Sequence, residues 1–135
     1  MQKALAFILV GAGGAAGSIV RYLLSLLTQK YSVTFPLGTL GSNLAGCLVI
    51  GTIYQISVDT EFLSPETRLF LATGFCGGFT TMSSFIYELM QFLRTGDHLH
   101  GAIYFGVTLL GSAAAFFFGS LIPRIIYRGV SALWT

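Results

Sequence analysis

Thr73-Gly74-Phe75-Cys76-Gly77-Gly78-Phe79-Thr80-Thr81-Met82-Ser83-Ser84-Phe85 places a glycine pair and five hydroxyl side chains inside an uncharged stretch, residues 69–87, of membrane-spanning length. Hydrocarbon offers no partner to a backbone whose helical ladder is interrupted. Irregular, polar main chain at membrane depth therefore persists only where protein or water covers it. The segment reads as the working part of the molecule, carried on a span that is not an ordinary lipid-facing helix.

Outward from it, the remaining chain repeats the pattern of long uncharged runs. Charges are also absent from residues 4–20, 31–58 and 101–123. With 54% apolar residues, 9% charged and a mean hydropathy of +0.79, the 135-residue chain falls among all-α integral membrane proteins rather than soluble ones. Four transmembrane helices are expected, over about 4–27, 36–56, 67–94 and 101–123, forming a single domain over 1–135. A secretory signal is the alternative for the first run, since Lys3 precedes an apolar stretch and small residues fill 11–18. The apolar pattern resumes at once over 19–27, which favours a span.

Local signals mark the helix ends. Ser64 is placed to cap the third helix, with Pro65 in its first turn and Glu66 at the positive end of its dipole. The same helix should stop near Arg94, because Gly96 suits the left-handed conformation just past a helix end. Residues 97–100, including His98 and His100, are read as a short turn. Arg124, Arg128 and Trp134 suit the membrane interface. Gly13 and Gly17 form a small-xxx-small pair that lets backbones approach closely, within the chain or in a dimer.

Even-numbered spans put Lys3, Arg68, Arg124 and Arg128 on one side and Lys30 and Arg94 on the other, with Arg21 near the end of the first span. So weak a bias lets the chain insert in either orientation. The net charge of +2 is small and its cations are scattered, so no nucleic-acid partner is indicated. Cys47 and Cys76 lie in apolar spans and read as small buried hydrophobes, not as a disulfide or thiolate ligands. No carboxylate pair occupies a span, and residues 11–17 lack the Lys and Ser/Thr that end a phosphate loop. The chain is not expected to be an enzyme.

The side chains that carry chemistry are spaced for helix faces. Tyr104, Thr108 and Ser112 recur every four residues and form a hydroxyl ladder. Thr39 and Asn43 have the same spacing, and the Asn43 amide offers two donors. Met82, Phe85 and Glu88 share a face of the third span, where the positive edge of an aromatic ring can meet an anion. Arg21 and Glu88 are ionisable groups within spans, and so are functional candidates or residues that reach to the interface.

Gly38-Thr39-Leu40 with Asn43, the 73–81 segment and Gly111-Ser112, in this order and spacing, resemble the small fluoride channels called Fluc or CrcB proteins, across all four spans. The resemblance implies a third helix broken near its middle and an antiparallel, dual-topology dimer in the cell membrane. Two fluoride pores would run along the subunit interface. Asn43, Met82, Phe85, Tyr104, Thr108 and Ser112 would line them, with Arg21 near a vestibule and Thr39 and Glu88 as polar support. It also implies a central sodium ion held by the main-chain carbonyls of Gly77 and Thr80. One departure stands out: Met82 occupies the place of the family's first pore phenylalanine. Some members of the family act as paired homologous chains, so the second subunit is either another copy or such a partner.

Fluoride passing down its electrochemical gradient is the function expected. The alternative is a small multidrug-type, proton-coupled exporter, which requires an acid in the first span, and residues 4–27 contain none. A non-transporting structural subunit is the third reading.

Overall fold

The computed structural model describes residues 3–132, and the side chains of residues 3–127. Among the described residues the fold is all-α. Four helical stretches are long and apolar enough to cross a membrane: Lys3–Tyr31, Leu37–Asp59, Pro65–Arg94 and His98–Tyr127. Arg128, by its side chain, and Trp134 lie outside the described residues.

Helix α1 (Lys3–Thr28) is continuous for 26 residues, about 39 Å at 1.5 Å per residue, and ends in a single 3₁₀ turn, Gln29–Tyr31. Helix α2 (Leu37–Asp59) begins directly after Pro36. The third span is built from pieces. A first turn, α3 (Pro65–Arg68), is followed by a π-helical segment (Leu69–Cys76), a last turn α4 (Gly77–Phe79) and, after the extended residues Thr80 and Thr81, helix α5 (Met82–Arg94). Helix α6 runs over His98–Ala132 with Pro123 inside it.

The expected end signals operate. Ser64 Oγ accepts the Thr67 N–H at 3.1 Å, Pro65 occupies the first turn, and Gly96 adopts φ 77° beyond α5. The short turn expected over 97–100 is instead the start of α6. Asp97 accepts the His100 N–H at 3.3 Å and acts as its cap, so His98 and His100 are helical. The fourth span accordingly starts before residue 101 and runs beyond 123.

Backbone-on-backbone packing holds the broken span against α1. A methyl group at Gly17 would land on the Phe75 carbonyl, and one at Gly78 on that of Gly14. Gly51 and Gly119 bring α2 and α6 equally close, against Phe116 and Leu48. In lipid, where association gains little from burying apolar surface, such small-residue contact is a principal source of helix affinity. The Gly13 and Gly17 pair is thus engaged within the chain. Large apolar side chains such as Phe7, Ile8, Leu110 and Phe117 are left exposed on the outside.

Candidate functional site at the broken helix

Asn43 closes the break. Its Oδ1 accepts the Thr81 N–H at 2.7 Å, and its Nδ2 donates to the Thr81 carbonyl at 3.1 Å, so one side-chain amide satisfies both main-chain groups of a residue outside the helical ladder. The second Nδ2 hydrogen is left over from this clasp. Thr81 in turn caps α5, its Oγ1 accepting the Ser84 N–H at 3.2 Å.

The diverted N–H groups determine which carbonyls are released. In an unbroken helix Thr81 N–H would donate to the Gly77 carbonyl and Ser84 N–H to that of Thr80. Here they go to Asn43 and to the Thr81 hydroxyl. Gly77 is exposed and Thr80 half-buried. Two freed main-chain oxygens near one another in sequence fit the hard-cation ligands that the resemblance implies.

Arg21 and Ser18 serve the carbonyl between them. Arg21 Nε donates to the Gly78 carbonyl at 3.1 Å and Ser18 Oγ to the same oxygen at 3.4 Å. Arg21 therefore sits against the break and lines neither cavity described below.

A cavity of about 350 Å³ opens at the break, and Asn43, Met82, Phe85, Thr108 and Ser112 all line it. Its character is set by what each group lacks. Thr108 is 4% exposed and its hydroxyl has no hydrogen-bond partner in the protomer. A bond back to its own helix, the usual fate of a threonine in a span, is thus not made. Phe85 is 1% exposed, packed against Tyr104 with ring centroids 5.3 Å apart, whereas Met82 is 64% exposed at the opening.

Tyr104 departs from the ladder. Its hydroxyl donates to Glu88 Oε2 at 2.6 Å, and Thr39 Oγ1 donates to Glu88 Oε1 at 2.7 Å. Thr39 and Glu88 line a second, more open cleft of about 620 Å³ between the 28–36 connection and the end of α5. Asn43 lies one turn beyond Thr39 on α2, and Phe85 one turn before Glu88 on α5. The two spaces are thus built from successive turns of the same helices, with the Phe85–Tyr104 pair between them. At the rim of the cleft, His100 Nδ1 lies 2.8 and 2.9 Å from the two Asp97 carboxylate oxygens. That hydrogen bond holds Asp97 below the ordinary carboxylate range.

Of the residues expected from sequence, the cavity brings together Asn43, Met82, Phe85, Thr108 and Ser112, with Gly77 and Thr80 in its wall. Thr39, Glu88 and Tyr104 form a separate hydrogen-bonded group. Thr81 was not anticipated, although a threonine three residues before Ser84 at a helix restart is a capping signal. Nor was the presence of Cys47 and Cys76 in the same wall.

Comparison with known proteins gives consistent results. The model of the family described as "CrcB-like protein, Camphor Resistance (CrcB)" matches residues 8–120. The "Fluoride-specific ion channel FluC" of Chlorobium phaeobacteroides (strain BS1) is 44% identical over 124 residues, 92% of this chain and 97% of its own length. The protein of the same name from Chlorobaculum tepidum is 44% identical over 118 residues, covering 87% and 94%. That of Clostridium novyi (strain NT) is 38% identical over 128 residues, covering 94% and 100%.

Proposed function

Because the chain belongs to the CrcB-like family, we propose that it is a fluoride-selective channel that lets fluoride leave the cell passively, down its electrochemical gradient, and so limits fluoride toxicity. The relatives' names supply the ion. The observation that supports the mechanism is the buried, unpartnered Thr108 hydroxyl in a cavity that Asn43 also lines.

A bare small anion in a low-dielectric medium costs tens of kcal/mol by Born estimates, so water must be replaced by donors along the path. Asn43 Nδ2–H and the Thr108 and Ser112 hydroxyls donate in succession to the ion. The edge of the Phe85 ring contributes weak positive potential, and Met82 supplies an apolar wall where a second ring is usual. Several modest contacts hold the ion without trapping it, as conduction requires. A path that admits only the dehydrated ion favours fluoride over chloride by size. Tyr104, Thr39 and Glu88 order the turn leading to the open cleft, and Arg21 keeps the break in place through the Gly78 carbonyl.

The exposed opening at Met82 and the exposed Gly77 leave the site half-built in one protomer. A second copy in the opposite orientation, or a paired homologous chain, completes it within the cell membrane. The Gly77 and Thr80 carbonyls would hold sodium at the contact, where it supplies a fixed positive charge that favours anions. All four spans act as one domain over 1–135, as a conduit and not as a catalyst.

Purified protein in liposomes, monitored with a fluoride electrode at clamped pH, tests the proposal. Fluoride efflux far above chloride efflux, unchanged when the proton gradient is collapsed, is expected. Equal chloride efflux would overturn selectivity, and strict dependence on the proton gradient would favour a coupled exporter.

A further inference from the structure

We propose that the cavity at the break is also a binding site for soft monovalent metal cations, of the Ag⁺ and Cu⁺ class, held by Cys47, Cys76 and Met82. The chain has five sulfur-bearing residues, and three of them line this one cavity of about 350 Å³. They arrive from different elements: Cys47 from α2, one turn beyond Asn43; Cys76 from the end of the π-helical segment; and Met82 from the first turn of α5. Both cysteines are free thiols.

Donor chemistry chooses the metal. Thiolates and thioethers select soft cations such as Cu⁺, while harder divalent ions need imidazole or carboxylate. Among the described residues no group of three or more His, Cys, Asp or Glu side chains is placed to hold a metal, so a third ligand here would have to be the Met82 thioether, which lines the same cavity. Met82, 64% exposed, meets an arriving ion first; Cys47 is half-buried and Cys76 only 2% exposed. On binding, each thiol that becomes a ligand forms a sulfur–metal bond and releases its proton to water. Met82 gives a lone pair and loses nothing. No electron is transferred. A monovalent cation between two thiolates forms a complex of net charge −1, in the cavity that Asn43 and Thr108 also line.

Such a complex fills the cavity and repels anions, so its occupancy blocks fluoride passage. This last consequence rests on the channel reading; binding does not. Full-length protein in chloride-free detergent is titrated with silver nitrate. Bound silver is counted by elemental mass spectrometry, and thiol alkylation by intact mass. One silver ion per protomer and protection of Cys47 from alkylation are expected. Met82→Leu should weaken binding roughly tenfold or more. The double variant Cys47→Ala/Cys76→Ala should bind none. In liposomes, silver should stop fluoride efflux, dithiothreitol should restore it, and the double variant should be insensitive. Unchanged silver stoichiometry in the double variant, or equal block of it, would overturn the proposal. Protein that binds silver at these sulfurs but never passes fluoride would instead overturn the channel reading and leave the site standing.

Discussion

At the scale of single residues, stability and transport should separate. A buried hydroxyl with no partner carries a desolvation cost of about 1–3 kcal/mol, and an isosteric methyl removes it. Thr108→Val should therefore unfold in detergent at the same temperature as the parent chain or higher. Asn43→Ala should do the opposite, because the clasp on Thr81 is lost and both of its main-chain groups are left unmade in an apolar setting. A loss of about 2–4 kcal/mol is expected, read as a lowered unfolding midpoint. The i, i+4 spacing made the faces of Asn43, Thr108 and Ser112 legible in sequence. It could not assign Tyr104, since spacing tells which residues share a face but not which neighbour a hydroxyl reaches, and Glu88 is 16 residues away. Glu88 itself was readable as an intramembrane acid. Its two donors, Thr39 and Tyr104, appear only once three helices are assembled.

At the scale of elements, the packing of the broken span against α1 leaves no room for a side chain. Gly17→Ala drives a methyl group onto the Phe75 carbonyl and should cost about 1–3 kcal/mol, measured as loss of folded protein in a thermal detergent assay. The start of α6 carries a pH dependence. Asp97 is held below the usual carboxylate range by the His100 hydrogen bond, so its contribution is complete above the unfolded value of about 3.9. It is lost as pH falls through the lower folded value. Hydrogen exchange at the first amides of α6 should therefore be insensitive to Asp97→Asn in strong acid and faster in that variant near neutrality. The stops and starts at Ser64, Pro65 and Gly96 were legible because each rests on local backbone chemistry. The π-helical turn at Leu69–Cys76 was not, as no residue type separates an i→i+5 ladder from an i→i+4 one. The α6 start was misplaced because the spacing of Asp97 and His100 was read as a turn rather than as a cap.

At the scale of the whole molecule, the proposed pairing of two chains inserted in opposite senses carries its own prediction. A single cysteine placed at the exposed Thr95 in a Cys47→Ala/Cys76→Ala background should be labelled by an impermeant maleimide to about half its total on sealed vesicles. Complete labelling, or none, would mean a single orientation. The four-span architecture was readable from the uncharged runs alone, because length and apolarity are sufficient to define a span. The cavity was not, since its walls come from α2, both halves of the third span and α6, which are brought together only by packing. The most direct test of dry donors carrying the ion is the fluoride efflux rate of Thr108→Val in liposomes, at protein content matched to the parent chain. Losing one donor to a charged ion should slow efflux by roughly tenfold or more while the protein stays folded; an unchanged rate would contradict the account.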